Sequence, residues 1–149
     1  MVSPYNDEYY MRKALLEAQS AFSKGEVPIG AVIVINDQII ARAHNLTETL
    51  TDVTAHAEMQ CFTAASDFLG GKYLKGCTLY VTLEPCQMCA GASYWTQIDR
   101  IVFGAFDPKR GYRHYNTSLH PKTKVTGGVL ENECSEIITR FFIEKRNLN

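Results

Sequence analysis

Apolar residues recur along this chain in two different periods. Tyr10, Met11, Ala14, Leu15, Ala18 and Phe22 fall three and four positions apart, which predicts an amphipathic helix. Asn6 or Asp7 is suited to cap its start, and Gly25 to end it. Ala31 to Ile35 is instead a nearly continuous apolar run, the pattern of a strand covered on both faces. Asn36-Asp37 then offers a turn into a second strand, Ile39 to Ala43, so the two should form a hairpin. Leu46 to Val53 is a polar loop carrying Thr47, Thr49, Thr51 and Asp52.

Helical spacing returns from about Ala55 to Phe68, where Ala57, Cys61, Ala64, Ala65 and Phe68 make a second amphipathic stripe stopped by Gly70-Gly71. Thr78 to Leu83 predicts a third strand, Met88 to about Thr96 a third helix opened by Pro85, and Arg100 to Ala105 a fourth strand. Lys124 to Leu130 suggests a fifth strand. Asn132 to Lys145 suggests a long closing helix with Ile137, Ile138, Phe141 and Phe142 facing inward. Strands three and four are joined through a helix, so they should run parallel with a right-handed crossover. The expected class is α/β: a five-stranded mixed sheet with helices on both faces, in a single domain over residues 1–149. No internal repeat, low-complexity segment or interdomain linker interrupts it.

Composition narrows this picture. A chain of 149 residues, 46% hydrophobic and 21% charged, can bury a core unaided. No apolar run approaches the ~20 residues that span a bilayer, and Met1 to Asp7 lacks the charged and apolar regions of a signal peptide. A cytoplasmic protein without a membrane partner is expected. Five cysteines are an odd number, and two of them form a C-x-x-C, which fits a reduced compartment better than a disulfide framework. Cys61, Cys77 and Cys134 stand in apolar contexts and should be inert core residues.

Charge changes it further. The net charge is −1, but residues 1–71 carry 4 Lys/Arg against 9 Asp/Glu, and residues 72–149 carry 11 against 7. The positive excess gathers at Lys109, Arg110, Arg113, Lys122 and Lys124, and again at Arg140, Lys145 and Arg146. Such clusters are either a solvated face or an edge that contacts phosphates.

The candidate chemistry lies in two short runs, Thr54-Ala55-His56-Ala57-Glu58 and Glu84-Pro85-Cys86-Gln87-Met88-Cys89. His56, Cys86 and Cys89 supply three ligands of a tetrahedral zinc site, one zinc per subunit, with one position left for water. H-x-E followed by P-C-x-x-C is the pattern of zinc nucleobase deaminases. Each half falls at the predicted start of a helix, where the dipole and free N–H groups favour thiolate. A closed structural zinc site would need a fourth ligand, and His44, His114 and His120 are poorly placed for it. Zinc lowers the pKa of a water at an open position to about 7. Glu58, not needed as a ligand, is the candidate catalytic proton shuttle.

The run Glu26 to Val32, then Asn45, then Thr54 to Glu58 resembles the cytidine deaminase-like superfamily. Thr78 to Ala92, Val102-Phe103-Gly104-Ala105 with Asp107, and Gly127 to Leu130 leading into Glu133-Cys134 are similar, more narrowly, to the bacterial tRNA-specific adenosine deaminases. The similarity runs from about Tyr9 to Arg146. It implies a three-layer α/β/α sandwich, a homodimer, and conversion of adenosine to inosine at wobble position 34 of a tRNA anticodon stem-loop. By position it implies that Asn45 hydrogen-bonds the flipped nucleoside and that Val27 and Pro28 line the pocket wall. The backbone at Ala57 and Glu84 would approach the base and the metal water. Asp107, Lys109 and Arg110 would lie near the anticodon loop, with Phe141-Phe142 near the pocket mouth; Arg113 belongs to the same basic, aromatic segment.

Two departures stand out. Val53 occupies a position where many relatives have Pro. Tyr94-Trp95 is similar to the guanine deaminases, so a free-base or small-nucleoside deaminase is the second expectation. A zinc-stabilised, non-catalytic RNA-binding module is the third, and it would leave Glu58 without a role.

Overall fold

The computed structural model describes residues 5–148, so the expectation about a leader at Met1 to Asp7 lies in part outside the described residues. Helix α1 (Asp7–Ser23) starts where its first orphan donors find a partner: Asn6 Oδ1 accepts from Tyr9 N at 2.9 Å. Strands β1 (Gly30–Ile35) and β2 (Gln38–His44) form the antiparallel hairpin. Asn36 and Asp37 both sit at positive φ, 49° and 62°, as a tight two-residue turn requires.

The chain continues through α2 (Ala57–Leu69), β3 (Cys77–Leu83), α3 (Gln87–Thr96), β4 (Arg100–Ala105), β5 (Lys124–Gly127) and α4 (Glu131–Asn147). The sheet order is β2-β1-β3-β4-β5. β1 is antiparallel to both neighbours, whereas β3, β4 and β5 run parallel.

Alternation along the strands builds the two outer layers. Ala31, Ile33, Leu79, Val81, Ile101 and Phe103 face α2 and α3 through Cys61, Phe62, Ala65 and Ala90. Val32, Val34, Tyr80 and Val102 face α1 and α4 through Met11, Ala14, Leu15, Cys134 and Ile137. The result is a three-layer α/β/α sandwich on a five-stranded mixed sheet. Cys61, Cys77 and Cys134 are fully buried as free thiols.

Three details differ from the sequence pattern. In α2, Phe62 is buried, while Ala64 is exposed and Phe68, in the last turn before Gly70, is 58% exposed. β5 stops at Gly127 because Gly128, at φ +87°, turns the chain so that Val129 and Leu130 pack into the α1/α4 layer. In α4, Ile137 and Phe141 are buried but Phe142 is 45% exposed. Among the described residues, no helix is long and apolar enough to cross a membrane.

One ion pair ties the start of α1 to the sheet. Asp7 accepts from Arg100 Nη1 at 2.8 Å and Nη2 at 2.7 Å, and from Tyr80 Oη at 2.8 Å. The Arg100 hydrogen bonds, and then that of Tyr80, outweigh burial and hold the Asp7 carboxyl below its ordinary 3.8. A lowered folded pKa means stability that is present above the ordinary value and lost as pH falls. Both side chains are about a third open to water, so screening reduces the pair's worth. Asp7→Asn is expected to destabilise the fold by about 1–2 kcal/mol at pH 7. The gap from the unsubstituted protein should narrow below about pH 4 in urea titrations.

Candidate active site

The parallel strands β3 and β4 end on the same side of the sheet, and the chain leaving each lines a cleft of about 910 Å³. β2 contributes Asn45 just beyond its end, and the Thr47–Val53 loop forms one rim. At the floor, the helix starts of α2 and α3 meet: His56 is the N-cap of α2 and Cys86 the N-cap of α3. His56 Nδ1 lies 3.5 Å from Cys89 Sγ and 3.6 Å from Cys86 Sγ.

Those distances fit a metal. With bonds of ~2.3 Å to sulfur and ~2.0–2.1 Å to nitrogen, a tetrahedral zinc holds N and S about 3.6 Å apart. All three ligand atoms lie within 4.8 Å of one another, the one such convergence of His, Cys, Asp or Glu among the described residues. The Cys86 thiol is pulled down to about 4 by the Cys89 and His56 hydrogen bonds against the cost of burial. Cys89 is held up by its bond to Cys86 and by burial.

Glu58, in the first turn of α2, is buried beside this triangle and lines the cleft. Burial, with the Cys86 charge adding to it, pushes its carboxyl up to about 7. A carboxyl at that level can hold or release a proton near neutrality, as a shuttle must.

The other sequence candidates are distributed unevenly. Val27, Asn45, Ala57, Glu84, Asp107, Lys109, Arg110 and Phe142 line the cleft. Pro28 is buried and is not among the residues lining it: Ile29 N donates to Val27 O at 2.8 Å, a tight turn with Pro28 at its apex. The wall is Val27 and Ile29, not the Val27-Pro28 pair implied by the resemblance. Asn45 is buried, and its Oδ1 accepts from Thr47 N at 3.3 Å. Tyr94 and Trp95 are outside the lining: Tyr94 packs on His120, and Trp95 is 76% exposed.

Arg113 is paired with Glu84, whose side chain is only 1% exposed. Burial alone would raise the Glu84 carboxyl, but the Arg113 guanidinium and the backbone N–H groups of Asp107 and Arg113 bring it below the usual range.

Sequence reasoning assigned no role to Glu26. Its buried carboxylate accepts from Glu48 N at 3.0 Å, Thr49 N at 2.7 Å and Thr49 Oγ1 at 2.6 Å, and so anchors the Thr47–Val53 rim. The available signal was one acidic residue abutting the apolar run from Val27 to Ile35.

The cytidine and deoxycytidylate deaminase zinc-binding region matches residues 4–105. A tRNA-specific adenosine deaminase of Bacillus subtilis (strain 168) is 51% identical over 146 residues, covering 94% of this chain and 91% of that protein. A protein of the same name from Agrobacterium fabrum (strain C58) is 46% identical over 144 residues, covering 93% and 95%. A structure from work on A-to-I editing by tRNA:A34 deaminases at the wobble position superposes with a TM-score of 0.80 at 44% identity, over 87% of this chain and 98% of that one. The guanine deaminase of Bacillus subtilis superposes with a TM-score of 0.65 at 38% identity, over 68% and 65%.

Proposed function

This chain belongs to the cytidine and deoxycytidylate deaminase zinc-binding family, and from that premise we propose that it hydrolyses adenosine to inosine at wobble position 34 of a tRNA. It does so as a single-domain, cytoplasmic homodimer with one zinc per subunit. The observation that carries the reading is Glu58, buried beside His56, Cys86 and Cys89 at the floor of a cleft whose rim bears Lys109 and Arg110. The kinship with proteins named tRNA-specific adenosine deaminase supports the substrate.

His56, Cys86 and Cys89 would hold the zinc, which when bound supplies a Lewis acid that makes water nucleophilic near neutral pH. Glu58 takes a proton from the attacking water and delivers it to N1 of the purine as the new C–O bond forms at C6. The second water proton follows through Glu58 to the 6-amino group, the C6–N6 bond breaks, and ammonia leaves. Asn45, Val27 and the Ala57 backbone would hold the flipped base, while the rim excludes bulk water. Asp107, Lys109 and Arg110 would meet the anticodon loop, with Phe142 at the mouth.

A second copy would extend the binding surface beyond one small domain. Sedimentation at micromolar concentration should give a dimer; a monomer would contradict it.

The free-base alternative, guanine, has less support, since Tyr94 and Trp95 stand outside the cleft. Ammonia release should be measured with an A34 stem-loop, the same stem-loop carrying G34, and free guanine. Release from the A34 stem-loop alone is expected. Release from guanine alone would overturn the reading.

A further inference from the structure

The segment from β4 to β5 carries Lys109 and Arg110 to the rim of the cleft, yet it has no regular secondary structure of its own there. Its shape is imposed from below by one carboxylate. Glu84 Oε1 accepts from Asp107 N at 3.1 Å and from Arg113 Nη2 at 3.0 Å. Glu84 Oε2 accepts from Arg113 Nε at 3.1 Å and from Arg113 N at 3.3 Å. Two backbone donors and a two-pronged guanidinium thus converge on one buried group, which grips both ends of Asp107–Arg113.

The grip depends on what surrounds it. Gly111 has no Cβ, and one built there would collide with the Glu84 carboxylate. Gly111 N donates to Asp107 O at 2.8 Å, and Tyr112 N donates to Pro85 O at 2.8 Å, next to the Cys86 ligand. Asp107 Oδ1 accepts from Lys109 N and Arg110 N, so the two rim cations are placed relative to Asp107. The Arg113 guanidinium carbon also lies 4.7 Å from the centre of the Phe106 ring, although the side chain as a whole is half-exposed.

The geometry points to Arg113 as a positioning residue: through Glu84 it holds the Asp107–Arg113 segment so that Lys109 and Arg110 face the RNA, and it does not itself grip a phosphate. Its fork is already engaged by a carboxylate, and a lysine cannot reproduce that pairing. This rests on the RNA reading above.

Binding of a labelled A34 stem-loop should be measured for zinc-loaded Arg113→Lys, Arg113→Met, Glu84→Gln and the Glu84→Gln/Arg113→Met double variant. Each single variant is expected to weaken binding about tenfold, with zinc content unchanged. The double variant should bind within about twofold of the weaker single, because both break one clamp. In turnover, Arg113→Lys should raise KM for the stem-loop and leave kcat nearly intact. Full affinity in Arg113→Lys, or losses that multiply in the double variant, would mean that Arg113 touches the RNA itself and would overturn the proposal.

Hydrogen exchange in the free protein separates the two readings. The Asp107 and Gly111 amides should exchange faster in Arg113→Lys than in the unsubstituted protein. Unchanged exchange overturns the clamp, whereas an unsubstituted protein that does not bind the stem-loop overturns the RNA reading.

Discussion

Replacing Glu58 by alanine is expected to stop deamination and leave one zinc per chain. The side chain is buried beside the ligand triangle but is not among the three residues whose atoms converge for the metal. Its loss removes a proton carrier that acts twice, once from water to the ring and once to the leaving amine. A single general acid–base group contributes about 10²–10⁴ in rate, so the kcat of Glu58→Ala should fall by about 10⁴ or more. Metal analysis of the same preparation is the control. An inactive variant that had also lost zinc would recast Glu58 as part of the metal site. Glu58→Gln separates a further possibility: a non-catalytic RNA-binding module would tolerate it, whereas a proton shuttle would not.

Gly30→Ala is expected to have the largest effect on folding. Gly30 begins β1, where the strand passes directly against α1. A Cβ there would overlap Ala14 O and Ala18 N of the helix backbone and lie 2.8 Å from Glu17 Cβ. Backbone atoms of a helix cannot swing aside as a side chain can, so either the helix or the strand must move. The helix cannot move far, because Met11, Ala14 and Ala18 are fully buried against the sheet. Overpacking costs about 1–3 kcal/mol in adaptable cores. Here at least about 3 kcal/mol is expected, a large part of the 5–15 kcal/mol that holds a domain together. Thermal unfolding should show a midpoint about 6–12 °C lower. A variant melting within about 2 °C of the unsubstituted protein would contradict the close approach of α1 and β1.

The elements were legible because their signals are local. The uninterrupted run Ala31 to Ile35 announces a strand covered on both faces, and Asn36-Asp37 tolerates the positive φ that its turn needs. The metal ligands were legible for a related reason: Cys86 and Cys89 are one turn apart, and His56 and Glu58 are neighbours. That the two halves meet at 3.5–3.6 Å is a property of the sheet, which sets α2 and α3 side by side.

What was not legible depends on contacts far apart in sequence or on which way a side chain points. Glu26 reaches Thr49, 23 residues away, and Glu84 reaches Arg113, 29 residues away. Neither pairing leaves a periodic trace. Pro28 shares its neighbours' apolar character but sits at the apex of a tight turn, outside the cleft lining. Phe62 and Phe68 carry the same side chain on one helix, and only the extent of the packed layers decides which is buried. The same holds for Tyr94-Trp95, a pair suggestive of guanine chemistry whose side chains stand outside the cleft.

The central claim is that Glu58 and the His56, Cys86, Cys89 centre act on an adenosine held in RNA. The most direct measurement is sequencing of total tRNA after incubation with the zinc-loaded protein, in parallel with zinc-loaded Glu58→Ala. Inosine is read as G, so the unsubstituted protein should convert A to G at position 34 and nowhere else, and Glu58→Ala should leave the RNA unchanged. Unaltered A34 in the presence of a protein that releases ammonia from free guanine would contradict the account.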